Sequence, residues 1–366
     1  MSRWRWRGSV ALLAASIAFV IFPLLPQDDV INSDWPAFAT GARLIMSDPG
    51  HLYDLAAQHR VQGEVTGGRV LITPGIEGIL PFLAPAWVAL LAVPFDAFGT
   101  DLGGRLWILF GLACLGAALY LVAGKSGLPA FASVPTALLM LNAQLDGLVA
   151  LGIAGAIALW SRPYIAGLVL GLTLVKPQLV LPVGVALLAA RRWKILAGWA
   201  AAGAVLLLST LALNPRWPLD WLGQARATVA PVSREVDLPH LGVLLPEPIQ
   251  PAAVVVLAAG AMALVVVLAS RRRTDLSAAA AVLVAGGVLA APHALATDLV
   301  LVALALAIWG QALWFDWLAL SVASLACAIV PPPWPSLVGI VLVGWVLVRA
   351  AGVTSKSPEP ALASPR

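Results

Sequence analysis

The chain has 366 residues, 61% of them hydrophobic and 11% charged, with a mean hydropathy of +0.93. A soluble domain carries about 25% charged residues, so the composition excludes a water-soluble protein and describes one that lives in a bilayer. The net charge of +4 collects at the ends of apolar stretches, which fits charge-directed membrane orientation and excludes a nucleic-acid partner.

Repeated apolar runs predict an all-α, polytopic helical bundle, since β-barrel strands would alternate over about 10 residues. The runs fall near 10–25, 77–98, 105–123, 129–142, 144–160, 164–175, 178–190, 195–213, 251–269, 276–291, 298–314, 317–331 and 335–350. Val10–Leu25 follows Arg3, Arg5 and Arg7 and has no small-residue cleavage site behind it, so it is expected to be the first span. Basic clusters at Arg3–Arg7, Arg191–Lys194, Arg271–Arg273 and Arg349 with Lys356 mark the cytoplasmic side. Alternation from Arg349 backwards gives about twelve crossings with both ends inside. The preferred solution has the proline-interrupted 77–98 run dip into the outer leaflet without crossing; the competing one, 164–190 as a single long span, strands Lys176 in mid-membrane. A single membrane domain over 1–353 is expected, with outer segments at 26–76 and 214–250 and a disordered tail at 354–366. Two helix-like amphipathic pieces in 26–76, Trp35–Ile45 and Tyr53–Val61, are expected to lie in the plane of the membrane surface. Cys114 and Cys327 lie inside apolar runs and read as small core residues, with no disulfide or metal site. Tryptophans near run ends, including Trp193, Trp217, Trp221, Trp314, Trp317 and Trp334, read as interface anchors, as do Trp4 and Trp6.

In this topology four polar clusters share the outer face: Asp34, Asn142–Asp146, Lys176-Pro177-Gln178, and Pro292-His293 through Asp298. Ionisable groups at membrane depth are costly and so are functional candidates. A carboxylate can take the proton of an attacking hydroxyl, a lysine or histidine can neutralise a phosphate leaving group, and apolar grooves can hold a polyprenyl tail. That combination suits glycosyl transfer from a lipid-linked sugar phosphate. Each residue also has a purely structural reading. Asp34 can cap the helix that starts at Pro36, Asp146 can cap the next helix, Lys176 can snorkel, His293 can begin a helix, and Arg43 can face solvent or headgroups. A transporter or lipid flippase is the rival function, because proline-broken helices mark transporter sites as well. A scaffold without activity is a third.

Asp34-Trp-Pro-Ala-Phe-Ala-Thr-Gly-Ala-Arg43, Leu52-Tyr53-Asp54 with Gln58, Pro81-Phe-Leu-Ala-Pro85, Ala166–Pro177 with its Gly-x3-Gly-x4-Lys-Pro spacing, and Pro292-His293 with Asp298 occur in this order. The set resembles the polyprenol-phosphate-sugar-dependent glycosyltransferases of the GT-C fold, most closely glycosyltransferase family 87, which includes mycobacterial mannosyltransferases of phosphatidylinositol mannosides. The resemblance implies a GT-C bundle in the bacterial inner membrane with a periplasmic site and an inverting, metal-independent transfer without cofactor. Mannose or a pentose would pass from a polyprenyl-phosphate donor to a glycolipid or envelope glycan. It implies Asp34 as general base, Lys176 and His293 at the donor phosphate, and Arg43, Tyr53, Gln144 and Asp146 around the substrates. One departure stands out: the family's Gly-Gln-x-Asn is Ala143-Gln144-Leu145-Asp146 here, which loses the glycine and exchanges Asn for Asp.

Overall fold

The computed structural model describes residues 28–69, 71, 78–227 and 234–352, with residues 28–29 and 225–227 by backbone alone. The expected first span, its arginines and tryptophans, and the tail with Lys356 lie outside these residues. Among the described residues every regular element is helical, and an antiparallel bridge pairs Glu235 with Leu295.

The outer segment supplies α1 (Trp35–Ser47) and α2 (Leu55–Thr66), followed by α3 (Ala86–Asp96). Eleven residues of α3 extend about 16 Å, half of a hydrocarbon core. Next come α4 (Thr100–Ala123), α5 (Val134–Leu141), α6 (Asp146–Ala158), α7 (Pro163–Leu170), α8 (Leu181–Ala189) and α9 (Trp193–Leu211). After α10 (Trp217–Ala227) the chain builds α11 (Gln250–Ser270), α12 (Leu276–Ala290), α13 (Val300–Trp309), α14 (Trp314–Ile329) and α15 (Trp334–Gly352). Thr100–Phe131, Trp193–Leu211, Glu247–Ser270 and Trp334–Gly352 are long and apolar enough to cross a bilayer, while other apolar helices run to 10–17 residues.

The short helices come in broken pairs, and the breaks have local causes. Pro177 removes a backbone donor and forces Lys176 out of the helical region, to φ −139° and ψ 70°. The pair α5 and α6 parts at Asn142–Leu145, where Ala143 takes a left-handed φ of 51°. An L-residue with a Cβ pays about 1 kcal/mol or more for that conformation, which accounts physically for the glycine the resemblance places there. The Trp107 indole N–H donates to the Ala143 carbonyl at 2.9 Å and holds the turn.

Helix α13 lies at the centre, with all ten of its residues buried, as an all-round apolar helix requires. Elsewhere the helices meet through glycines, since packing among membrane helices depends on close backbone approach. A Cβ on Gly147 would stand 1.9 Å from the Gly111 carbonyl oxygen where α6 crosses α4, and one on Gly167 would stand 2.0 Å from the Ile195 carbonyl oxygen between α7 and α9. Gly147→Val is therefore expected to push α6 off α4 and cost about 1–3 kcal/mol or more. Thermal unfolding in detergent, followed by tryptophan fluorescence, checks this, and an unchanged transition would contradict the packing argument.

Helix α1 is enclosed on nearly all sides, with ten of its thirteen residues buried. Two glutamines of α2, one turn apart, fasten the extended stretch before α3. The Gln58 amide donates to the Leu52 and Phe82 carbonyls and accepts from the Phe82 N–H, and Gln62 does the same with the Leu80 N–H and carbonyl. Trp193, Trp314 and Trp334 are exposed, as membrane-interface anchors are. Trp217 is not: at 2% exposure it stacks on Tyr53 and packs edge-on against Trp87, so its aromatic bulk fills the core. Cys114 and Cys327 are buried free thiols. Near the basic C-terminal end Asp316 accepts from the Leu313 N–H, Trp345 Nε1 and Arg349.

Candidate active site

The breaks between short helices bring distant polar residues to one place. Asp34 precedes α1, yet its carboxylate makes no capping bond. The first turn is served instead by the Ser33 hydroxyl, which accepts from the Trp35 N–H, and by the Asp34 carbonyl, which accepts from Ala37 and Phe38. The carboxylate is left to accept a hydrogen bond from the Gln144 side-chain amide, 110 positions away, while the Asp34 N–H donates to the Asn142 carbonyl at 3.2 Å. The α5–α6 turn is thus stitched to the start of α1.

Lys176 lies in the second break. Its Nζ donates to Asp146 at 3.0 Å and to Asp298 at 2.6 Å. It is not a snorkelling lysine: 16% of its side chain is exposed, against 0% for Asp146 and 2% for Asp298. Asp146 does not cap α6. One of its oxygens is on the lysine and the other is buried without a partner. Asp298 is tied at both ends, because its second oxygen accepts from the Leu295 N–H at 2.7 Å and starts the 3₁₀ turn that leads into α13.

The two groups share one field. The Asp34 carboxyl is raised to about 6: burial pushes it up most, the Lys176 charge and the Gln144 hydrogen bond hold it down, and the Asp298 charge adds to the rise. A carboxylate of that strength is suited to accept a proton near neutral pH. Removing the amide donor, as in Gln144→Leu, is expected to raise the Asp34 carboxyl further and to shift the acid limb of the activity profile upward by about one pH unit. A profile identical to the wild type's would remove Gln144 from the site.

Three more predicted site residues are placed as follows. His293 is half exposed and bonds through Nδ1 to Glu235 at 3.0 Å, with no contact to Lys176, although its charge and that of Asp298 interact. Tyr53 is buried and its hydroxyl donates to the Ala84 carbonyl at 2.9 Å, so its phenol holds the segment before α3. Arg43, nine residues beyond Asp34 on α1 and so about 13 Å along the axis, pairs with Asp96 at 3.1 Å. That pair lines a separate open cavity of about 450 Å³ with Met46 and Glu64. Gln144 and Asp146 do join the centre. Asp298 is the residue that sequence reasoning underweighted: it stood at the end of a polar cluster, but nothing local announced that it would meet Lys176 across 122 positions.

The arrangement provides an uncommitted carboxylate, an amide that orients it, and a cation held beside it by two acids. No curated protein and no solved structure matches the chain. The model of glycosyltransferase family 87 matches residues 82–292, a stretch that carries Gln144, Asp146 and Lys176 and begins after Asp34. As that match spans more than half of its length, the chain belongs to glycosyltransferase family 87.

Proposed function

We propose that this glycosyltransferase works at the periplasmic face of the bacterial inner membrane, crossing it about twelve times with both termini in the cytoplasm. It moves a monosaccharide, mannose or a pentose, from a polyprenyl phosphate to a hydroxyl of a glycolipid or envelope glycan. The observation that carries the reading is the Asp34 carboxylate: it is released from helix capping, oriented by Gln144, and lies within the field of Lys176.

Asp34 takes the proton from the acceptor hydroxyl as its oxygen forms the bond to the anomeric carbon. The bond from that carbon to the phosphate oxygen breaks on the opposite face, and its electron pair leaves with the polyprenyl phosphate. The configuration inverts in this single displacement. Lys176 is the cation beside the developing negative charge, with His293 at the outer rim. Arg43, paired with Asp96 in the separate cavity, and Tyr53, packed on Trp217, take no direct part in this step.

Membranes carrying the protein, supplied with radiolabelled polyprenyl-phosphate mannose or pentose and a glycolipid fraction, test the reading. Label is expected in the acceptor with polyprenyl donors and not with nucleotide sugars. The buried Asp146–Lys176–Asp298 group also fits the transporter reading. Flux of a lipid-linked sugar across vesicles without any transfer would favour it.

A further inference from the structure

The second outer segment ends in a cluster of which the reaction above uses only His293. Glu235 is 5% exposed and accepts from two imidazoles: His240 Nδ1 at 2.5 Å and His293 Nδ1 at 3.0 Å. Residues 235–238 are laced to the chain around His293. The Val236 N–H donates to the Ala294 carbonyl at 2.8 Å, the Leu238 N–H to the Leu289 carbonyl at 3.1 Å, and the Ala294 N–H to Asp237 at 2.9 Å. The Ser336 hydroxyl of α15 donates to the Glu235 carbonyl at 3.1 Å and anchors the far side.

The chemistry of the contact fixes the tautomer. An ionised carboxylate only accepts, so His293 Nδ1 carries a proton and Nε2 is the nitrogen that titrates. His240 sits on the same carboxylate but is 6% exposed, whereas half of the His293 side chain is open. Only His293 can therefore present Nε2 to a substrate.

We propose that Glu235 is a positioning residue for the transfer: it holds the His293 ring as an imidazolium whose Nε2–H faces the donor phosphate. The proposal rests on the polyprenyl-phosphate reading above. The groups that face His293 are Glu235, Asp237 and His240 from the outer segment and Asp298 from the start of α13. The dense surroundings favour the neutral ring, but the hydrogen bond and charge of Glu235, supported by Asp298 and Asp237, outweigh them and raise the pKa above that of an ordinary histidine. Burial, with the Glu235 charge, pushes the Asp237 carboxyl up to about 6, while the Ala294 and His240 N–H groups pull it back. Glu235 thus extends the charged form of His293 toward higher pH, and donor binding that needs this charge is lost only above the raised pKa.

Histidine-labelled protein has four imidazoles to follow by NMR, and His293→Gln assigns the relevant one. In Glu235→Gln the His293 titration is expected to move to lower pH by about one unit. In transfer assays the KM for polyprenyl-phosphate sugar at pH 7.5 is expected to rise roughly tenfold, with kcat retained at lower pH. Glu235→Asp keeps the charge and carries the test if the amide variant does not fold, with a smaller shift in the same direction. An unmoved His293 titration overturns the role of Glu235, as does a fall in kcat at unchanged KM. Absence of transfer by the unaltered protein from any polyprenyl donor, beside a shifted titration, overturns the functional reading instead.

Discussion

Asp34→Asn is expected to lower transfer by about 10²–10⁴-fold, the usual contribution of a general base, without loss of protein from the membrane. Asparagine matches aspartate in shape, and since the Asp34 side chain takes no part in capping α1, the helix loses nothing. Stability should not fall either. The folded carboxyl lies at about 6, above its ordinary value of 3.8, so the protonated form is the one that folding favours. Stabilisation from that group is fully present below about 4 and is lost as pH rises through about 6. The variant carries no such dependence, and its thermal unfolding at pH 7.5 should match or exceed the wild type's. For the same reason wild-type transfer should climb with pH through about 6 and then level, as the base form fills. A variant that transfers sugar at the wild-type rate would reduce Asp34 to a scaffold residue.

Lys176→Met is expected to be the most damaging single change for both folding and activity. It leaves Asp146 and Asp298 facing each other, both nearly inaccessible, without the cation between them. Breaking a buried pair in this way costs about 3–5 kcal/mol, because the orphaned charge stays behind. The energetic and chemical roles can be separated by relieving the carboxylates. Combining Lys176→Met with Asp298→Asn should restore much of the thermal stability while transfer stays absent. Recovery of both would show that Lys176 only balances charge. A single variant that melts like the wild type would mean that the carboxylates find another partner.

The apolar runs locate nearly every helix, because hydropathy reports removal from water and little else. They cannot say whether a side chain meets lipid or protein, which are equally apolar. Trp217 illustrates this: a run-end tryptophan looks like an interface anchor, yet it packs against Tyr53 and Trp87. The helix breaks are legible where a proline writes them, as at Lys176-Pro177. The Ala143 turn is not, since alanine carries no local signal for a left-handed φ. Lys176, Asp34 and Asp146 stand out because charge is rare at that depth. Their partners do not, for the pairings of Gln144 with Asp34, Asp298 with Lys176 and Glu235 with His293 join residues 58 to 122 positions apart. Such pairings follow from tertiary packing, which a single sequence does not display.

The broken helices also set how far the site lies from either water phase. Asp146–Ala158 and Pro163–Val175 each have thirteen residues, about 20 Å at helical rise, whereas a hydrocarbon core measures about 30 Å. Helices of that length cannot carry their polar ends to the level of the headgroups on a flat membrane. On the proposed reading in which the bundle spans the bilayer, lipid beside it draws inward to meet the charged ends, at a modest cost per ångström. On the spanning reading, the active centre lies at the bottom of a dimple in its own leaflet. On the proposed donor and acceptor, a polyprenyl tail would stay in the hydrocarbon while its phosphate descends to Lys176, and a glycan would enter from the aqueous side above. The membrane itself then forms one wall of the reaction chamber.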